Sequence, residues 1–333
     1  MDFKTRLGFD YQVYHRPFKR PLHTHHGLWR KRSGVIVRLQ TDQGIAGFGE
    51  IAPLPWFGTE TLEEAIALCQ SLSPVCTPDQ INPISARYPA TQFGLSSALW
   101  QLGTACNFVD LPSQDCCALL PTGNAAQNAW EPLWHAGHRT FKWKIATSPM
   151  DQELADFERL ATALPPGATL RLDANGGLTK AQAQRWLTHC DLIPQGRPDC
   201  VEVEFLEQPL PPTEFSALQW LSQQYRTPIA LDESVATLSA IQTALDQGWA
   251  GLLVVKPAIA GFFPQLLAAC RPHRDRIVIS SVFETAVGRQ AVLAFAQALY
   301  GNMPPFALGL GTDQWFAADG LHQPPFEILW NRL

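Results

Sequence analysis

Five short apolar runs between residues 140 and 256 decide the fold, and each carries ionisable residues toward its end. They are TFKWKIA (140–146), TLRLD (169–173), VEVEFLE (201–207), IALD (229–232) and GLLVVK (251–256). Their lengths and their β-branched and aromatic residues are typical of buried strands. The runs are separated by amphipathic stretches that favour helices, among them 181–190, 214–224 and 238–247.

The same pattern extends on both sides of this segment. Further strands are predicted near 118–120, 277–281 and 307–310, which gives eight strands that begin at intervals of roughly 20 to 30 residues. This interval is the one that a βα unit requires, and eight such units with right-handed crossovers indicate a closed barrel. The predicted fold class is therefore α/β, a modified (β/α) TIM-like barrel with an N-terminal α+β capping domain.

The first hundred residues have a different pattern. Strands at 35–39 and 45–51 are joined by a turn, and helices are predicted from Thr61 onward and over 94–105. We expect residues 1–105 to form the capping domain and residues 106–311 to form the barrel. The C-terminal segment, 312–333, is expected to pack back on the capping domain.

The composition excludes several classes of protein. Hydrophobic residues make up 46% of the 333 residues and charged residues 17%, which excludes disorder and coiled coil. The net charge of −5 gives no basic surface for nucleic acid or an anionic membrane. The eight cysteines have irregular spacing and the N-terminus has no apolar signal-like run, so we expect a cytoplasmic protein that acts on a small molecule. Nothing in the composition sets an oligomeric state.

Ionisable residues follow the strands in a way that predicts one shared site. Three carboxylates, those of Asp173, Glu207 and Asp232, end three consecutive strands. The carboxyl ends of barrel strands meet at one mouth, where buried carboxylates repel one another unless a cation lies between them. An all-oxygen set suits Mg²⁺ or Mn²⁺, whereas the lack of His or Cys at these ends argues against zinc.

Lysines flank these carboxylates. Lys142 and Lys144 are two residues apart on a strand, so both should face the barrel interior, and Lys256 enters from the opposite side. Mutual repulsion and a nearby cation should lower the pKa of a lysine toward the range where it acts as a base. Such a site can deprotonate the carbon next to a metal-bound carboxylate, because the ion stabilises the charge that develops.

The chain resembles the enolase superfamily, muconate-lactonising subgroup, in five motifs that occur in that family's order. They are KWK (142–144), RLDAN (171–175), FLEQP (205–209), ALDES (230–234) and VKP (255–257). Enolase-superfamily sites combine a lysine base with Mg²⁺. The resemblance implies that Asp173, Glu207 and Asp232 bind Mg²⁺.

Within that superfamily the chain is most similar to the o-succinylbenzoate synthase family. The similar segments are PLHTHHG (21–27), GFGEIAPLP (47–55), ETLEEA (60–65) and SSVFET (280–285). The resemblance implies a lyase of menaquinone or phylloquinone biosynthesis, which dehydrates 2-succinyl-6-hydroxy-2,4-cyclohexadiene-1-carboxylate in a syn fashion to 2-succinylbenzoate through an enediolate. It implies that Lys144 removes the proton and protonates the departing hydroxyl. Lys256 would stabilise the enediolate by a cation–π contact.

A second group of residues is expected to bind substrate or to support the lysines and carboxylates: Lys142, Arg171, Asn175, Ser281 and Gly309. Arg171 could orient a lysine or the substrate, or form a structural ion pair. The alternation of a strand places Glu202 and Glu204 on a face that Glu207 does not share. The cluster of His23, His25 and His26 is read as a solvated loop rather than a metal site, and the GxG pairs at 47–49 and 309–311 lack the context of a dinucleotide site.

Two other functions are compatible with the same residues. An N-acylamino acid racemase or dipeptide epimerase would use Lys144 and Lys256 as bases on opposite faces of one carbon. A non-catalytic barrel that only binds a ligand is the other alternative, although the full set of charged site residues argues against it.

Overall fold

The computed structural model describes residues 5–24, 27–104, 111–193, 200–317, 319–321 and 325–333. It contains two sheets, one of four antiparallel strands near the N-terminus and one of eight parallel strands. The eight-stranded sheet is the predicted barrel, and the fold class is confirmed. Within the described residues, every helix is too short or too polar to cross a lipid bilayer.

The antiparallel sheet has the spatial order β3-β2-β1-β4, with strands β1 (Leu7–Thr24), β2 (Gly27–Gln40), β3 (Ala46–Ile51) and β4 (Val75–Cys76). The predicted strands at 35–39 and 45–51 lie within β2 and β3, but the sequence did not reveal the long β1–β2 hairpin. Its outer half is rich in Lys and Arg and has a register shift between Pro17 and Leu22, so no alternating apolar pattern marks it.

The barrel strands occur in chain order around the barrel, with β12 beside β5. They are β5 (Cys116–Leu119), β6 (Thr140–Lys144), β7 (Thr169–Asp173), β8 (Glu202–Glu207), β9 (Ile229–Leu231), β10 (Leu252–Val255), β11 (Ile277–Ile279) and β12 (Leu308–Gly311). A parallel bridge between Ser280 and Gly309 joins β11 to β12 and closes the ring. All eight predicted strands are therefore observed, with boundaries that differ by a few residues.

Helices precede the barrel and alternate with its strands. They are α1 (Leu62–Ser71), α2 (Pro78–Ile81), α3 (Pro89–Gly103), α4 (Ala126–His135), α5 (Met150–Ala163), α6 (Lys180–Leu192), α7 (Phe215–Gln224), α8 (Leu238–Asp246), α9 (Pro257–Ala260), α10 (Phe263–Cys270), α11 (Ala286–Tyr300) and α12 (Phe326–Trp330). Thr61 caps α1 in a capping box, as its sequence predicts. Helix α3 begins five residues before the predicted start, and the predicted end at residue 105 lies outside the described residues.

We call strands β1–β4 with helices α1–α3 the cap. The boundary predicted between residues 105 and 106 lies outside the described residues, so the division into domains stays a prediction. Helix α12, within the C-terminal segment 312–333, packs on the sheet of the cap. There the backbone oxygen of Trp330 accepts a hydrogen bond of 3.1 Å from Gln12, and Phe326 packs on Phe48.

The GxG pair at 47–49 lets helix α3 pack directly on strand β3. A Cβ atom on Gly49 would lie 1.8 Å from the carbonyl oxygen of Gly94, and one on Gly47 would lie 2.3 Å from that of Ala98. Only glycine permits this approach of two backbones. These glycines therefore serve the packing of the cap, consistent with the absence of a dinucleotide motif.

We expect Gly49→Ala to lower the free energy of unfolding by about 1 to 3 kcal/mol or more, because the clash is with rigid backbone. Denaturant unfolding measures this change. The matched control is Gly103→Ala, at the exposed end of α3, where a Cβ atom meets nothing within 4 Å. Equal stabilities of the two variants would contradict the packing role of Gly49.

Candidate active site

The charged residues predicted for the site lie together at the carboxyl ends of the barrel strands. Lys144, Asp173 and Glu207 are direct register partners across β6, β7 and β8. Asp232 follows β9 and Lys256 follows β10. The three carboxylates are at most 2% exposed, so the barrel holds them out of water.

Each of these carboxylates is paired with a lysine. The ammonium nitrogen of Lys142 lies 2.7 Å from Glu207 Oε1 and 2.8 Å from Asp173 Oδ2. Lys144 Nζ lies 3.0 Å from the same Asp173 oxygen, and Lys256 donates to Asp232. The predicted inward orientation of both lysines on β6 is thus observed.

The pKa of Lys142 differs from the expectation for the lysine pair. Burial acts to lower this pKa, but the charges of Asp173, Glu207 and Asp232 outweigh it and raise the pKa well above its usual value. Among the groups of the protein itself, the effect on the pKa of Lys142 is therefore opposite to the expected lowering. That expectation took account of the neighbouring ammonium and a bound cation but not of the two carboxylates that contact Lys142.

The carboxylates do not titrate alike. Burial acts to raise the pKa of Asp173, but Lys142 and Lys144 together lower it. Burial and the charge of Asp173 raise the pKa of Glu207 to about 7, against the effect of Lys142. Burial also raises the pKa of Asp232, although Lys256 acts in the opposite direction. The nearby lysines therefore offset the burial of Asp173 but not that of Glu207 or Asp232.

No group of three His, Cys, Asp or Glu side chains in the described residues is arranged closely enough to hold a metal ion as it stands. The ammonium of Lys142 lies between Asp173 and Glu207 at the distances of direct ion pairs. A cation is thus already located between two of the carboxylates. The chemistry of the donor set fits a divalent ion, which would take over the charge compensation that the lysines provide here.

A hydrogen-bonded chain supports Lys144. Its ammonium donates to Asn175 Oδ1, and Asn175 Nδ2 donates to Glu233 Oε1 at 3.0 Å. Asn175 lies in the left-handed region with φ of +45°, which asparagine tolerates better than most residues. Asn175 is thus placed to orient Lys144. No separate sequence pattern marks Glu233, which follows Asp232 directly.

A cavity opens above the lysines and carboxylates. Its floor includes Lys144, Asp173, Asp232 and Lys256, and its upper wall is apolar, with contributions from Trp29, Trp56, Phe57 and Phe283. Lys256 Nζ lies 4.6 Å from the centre of the Phe57 ring, a cation–π contact that connects the cap to the barrel floor. The cap therefore supplies an apolar cover for a charged floor.

Arg171 lies deeper in the barrel than this cavity. Its guanidinium, in a residue only 2% exposed, pairs with Glu204 and lies 5.1 Å from the centre of the Phe205 ring. Of the two alternatives for Arg171, the structure has the ion pair.

The prediction that Glu202 and Glu204 lie on a strand face that Glu207 does not share is wrong for Glu207. Glu204 pairs with Arg171, and Glu207 shares Lys142 with Asp173, which lies two residues beyond Arg171 on the same face of β7. A register shift between Leu170 and Arg171 leaves Glu204 as the extra residue of a β-bulge in β8. Glu202 is exposed, whereas Glu204 pairs with the buried Arg171. A strand with a bulge loses its simple alternation, and the sequence carried no signal for the bulge.

The remaining predicted residues lie at other parts of the mouth. Ser281 and Gly309 line the cavity, and a Cβ atom on Gly309 would lie 2.9 Å from Ser280 Oγ. The side chains of the histidine cluster at 23–26 lie outside the described part of the chain. Trp29, Phe57 and Glu50 were not predicted as functional, because their roles depend on contacts between the cap and the barrel.

Comparison with known proteins identifies the family. Residues 125–327 match the family model described as enolase C-terminal domain-like, and residues 9–102 match the MenC N-terminal domain. An o-succinylbenzoate synthase of Thermosynechococcus vestitus is 41% identical over 98% of this chain and 99% of its own length. The chain belongs to the o-succinylbenzoate synthase family of the enolase superfamily.

Solved structures agree with this assignment. The o-succinylbenzoate synthase of Thermosynechococcus elongatus BP-1, complexed with magnesium in its active site, superposes with a TM-score of 0.88 at 40% identity and covers 98% of this chain and 100% of its own. The L-Ala-D/L-Glu epimerase of Bacillus subtilis reaches a TM-score of 0.76 at 19% identity, over 93% of this chain and 91% of its own. The second likeness concerns the fold alone. The o-succinylbenzoate synthase family thus shares its scaffold with an epimerase.

Proposed function

We propose that this chain is an o-succinylbenzoate synthase, a magnesium-dependent hydro-lyase of menaquinone biosynthesis. Membership of the family over nearly the full length supports this function. The observation that carries it at the site is the presence of Lys144 and Lys256 in one cavity with Asp173 and Asp232 between them. Glu207 completes the carboxylate set through its contact with Lys142.

Asp173, Glu207 and Asp232 are the residues that would hold Mg²⁺. All three are buried, and the raised pKa values of Glu207 and Asp232 mean that their ionised forms need further positive charge. When bound, the ion supplies the charge that stabilises the substrate carboxylate as the adjacent C–H bond breaks. Because Lys142 and Lys256 contact these carboxylates in the metal-free protein, both ammonium groups must give up part of that contact on metal binding.

Lys144 is the proposed base. In its neutral amine form it removes the proton from the carbon next to the ring carboxylate and becomes an ammonium. The electron pair of that C–H bond enters the carboxylate as an enediolate and then forms the new ring double bond as the hydroxyl leaves. The same ammonium then gives its proton to the departing hydroxyl, so that water leaves and the ring becomes aromatic. Asn175 holds Lys144 in place for both transfers. Lys256, on the other side of the cavity, faces the negative charge that accumulates on the substrate.

The direct test supplies the cyclohexadiene carboxylate with Mg²⁺ and follows the absorbance of the aromatic product. We expect product in the presence of Mg²⁺ and none after chelation. Absence of product from folded protein, together with racemisation of an N-succinyl amino acid, would overturn the proposal in favour of the racemase alternative. No turnover of either substrate would leave only a binding function.

The pH dependence of metal binding follows from Glu207. Its pKa in the fold is raised from 4.5 to about 7, so its protonated form stabilises the metal-free protein at low pH and this stabilisation is lost as the pH rises through about 7. Mg²⁺ must displace that proton. We therefore expect affinity for Mg²⁺ to increase from about pH 6 to about pH 8, with proton release at the lower pH.

Calorimetric titration in two buffers of different ionisation enthalpy measures this proton release. Glu207→Gln should remove most of the pH dependence along with much of the affinity. Equal affinity of the wild-type protein at about pH 6 and about pH 8 would contradict the role of Glu207.

A further inference from the structure

A buried carboxylate of the cap binds the start of a barrel helix. Glu50 lies in β3 and is fully buried. Its Oε2 atom accepts hydrogen bonds from the backbone N–H groups of Thr285, at 2.9 Å, and Gly288, at 3.0 Å, and from the Thr285 hydroxyl. Its Oε1 atom accepts a bond of 2.5 Å from the hydroxyl of Tyr14 in β1. One side chain thus joins two strands of the cap to helix α11.

These contacts complete the N-terminus of α11. The N–H of Ala286 donates to the carbonyl of Leu321 at 2.7 Å, and that of Val287 donates to Thr285 Oγ1 at 3.3 Å. With the bonds to Glu50, each N–H group from residue 285 to residue 288 has an acceptor. A negative charge at this position also interacts favourably with the dipole of the helix. Glu50 therefore caps a 15-residue helix of the barrel from outside the barrel.

The segment before this helix forms a wall of the cavity. Ser281, Val282 and Phe283 line the cavity, and Glu284 accepts hydrogen bonds from the Ser281 hydroxyl and the Val282 N–H. Phe283 has a φ of +65°, a left-handed conformation that is costly for an aromatic residue and requires support from its surroundings. Strand β11 fixes one end of this segment, and the Glu50 contacts at Thr285 fix the other.

Aromatic contacts show which part of the cap packs against this wall. The Phe283 ring lies 5.3 Å from the ring of Phe18 and 5.3 Å from that of Trp29, both in the hairpin of the cap. Trp29 itself lines the cavity. The Ser281–Phe283 wall therefore packs against the same cap that Glu50 joins to the start of α11.

We propose that Glu50 is a positioning residue for the dehydration, which holds the Ser281–Phe283 wall in place for the substrate. This inference rests on the proposed function. Glu50 does not line the cavity and acts through Thr285 and Gly288. The approach is close, since a Cβ atom on Gly288 would lie 2.7 Å from Glu50 Oε2. A neutral amide of the same shape replaces one acceptor oxygen by a donor and removes the charge, so Glu50→Gln loosens these contacts with little change in volume.

A matched control exists in the cap. Glu60 is also buried, and it caps α3 by accepting from the N–H groups of Ala90 and Thr91 and from the Thr91 hydroxyl. Glu60 thus caps the 15-residue helix α3 in the way that Glu50 caps α11, but these contacts of Glu60 remain within the cap. Glu60→Gln should therefore lower stability without altering the response to substrate.

The test compares kcat and KM for the two Gln variants at saturating Mg²⁺, and measures hydrogen exchange of the Thr285 and Gly288 amides. For Glu50→Gln we expect kcat/KM to fall by about 10- to 100-fold, because small displacements of positioning groups have effects of this size. The affinity for Mg²⁺ should be unchanged, and both amides should exchange faster. For Glu60→Gln we expect wild-type kcat/KM and unchanged exchange at these two amides.

Wild-type kcat/KM in a folded Glu50→Gln variant would overturn the proposal, as would an equal loss in both variants. If Glu50→Gln does not fold, Thr285→Val decides, because it retains the side-chain shape and removes one donor to Glu50 together with the acceptor of the Val287 N–H; wild-type kcat/KM in this variant would overturn the proposal. Inactive wild-type protein would overturn the proposed function instead. The exchange of the Thr285 and Gly288 amides would in that case still show whether Glu50 holds the helix start.

Discussion

Replacing Lys144 by alanine should lower kcat by about three orders of magnitude and leave the affinity for Mg²⁺ nearly unchanged. Lys144 is the lysine held by Asn175, and it is the proposed base for the step that breaks the C–H bond. Removing it leaves the carboxylates in place, and Lys142 still contacts both Asp173 and Glu207. Product formation and calorimetric titration with Mg²⁺ measure the two effects separately.

Two further variants sharpen this experiment. Lys144→Arg keeps a positive charge but cannot deprotonate at neutral pH, so it should be nearly as inactive as the alanine variant. Lys180→Ala removes an exposed lysine at the start of α6 that lies over Trp220 and does not line the cavity, so this variant should retain wild-type kcat. Turnover near the wild-type value in folded Lys144→Ala protein would remove Lys144 from the mechanism.

The barrel could be predicted because its signal is local. Each strand is a short apolar run, and the residue that leaves the strand is polar, so Asp173, Glu207 and Asp232 are marked by position alone. Parallel register places Lys144 beside Asp173. The neighbouring pair of Asp173 and Glu207 also needs the bulge at Glu204, which no local pattern marks.

The features that the sequence did not predict depend on contacts between distant segments. The bulge places Glu204 against the buried Arg171 of the neighbouring strand, and the pKa of Lys142 depends on carboxylates from other strands. The outer half of the β1–β2 hairpin is rich in Lys and Arg, and its buried Phe18 and Leu22 form a small cluster with Phe316 from a distant part of the chain. A glutamate in a strand carries no sequence signal of function. Glu50 has its proposed role only because the start of α11 lies against it.

Replacing Asp232 by asparagine should raise the Mg²⁺ concentration required for half-maximal activity by about 10- to 100-fold or more. Loss of an outer contact to a metal ligand already has an effect of that size, and here a charged ligand is lost. The substitution also leaves the buried ammonium of Lys256 without its carboxylate partner, which destabilises the metal-free protein. Both consequences follow from the burial of this pair.

Thermal unfolding with and without Mg²⁺ separates the two consequences. In the wild-type protein, Mg²⁺ at about 100 times its Kd should add about 2.7 kcal/mol to the free energy of unfolding. Asp232→Asn should lose most of that gain at the same Mg²⁺ concentration. Glu214→Gln makes the same change of charge at an exposed position and should retain the full stabilisation by Mg²⁺. If Asp232→Asn requires no more Mg²⁺ than the wild-type protein, other carboxylates hold the ion. The role of Asp232 would then be its ion pair with Lys256.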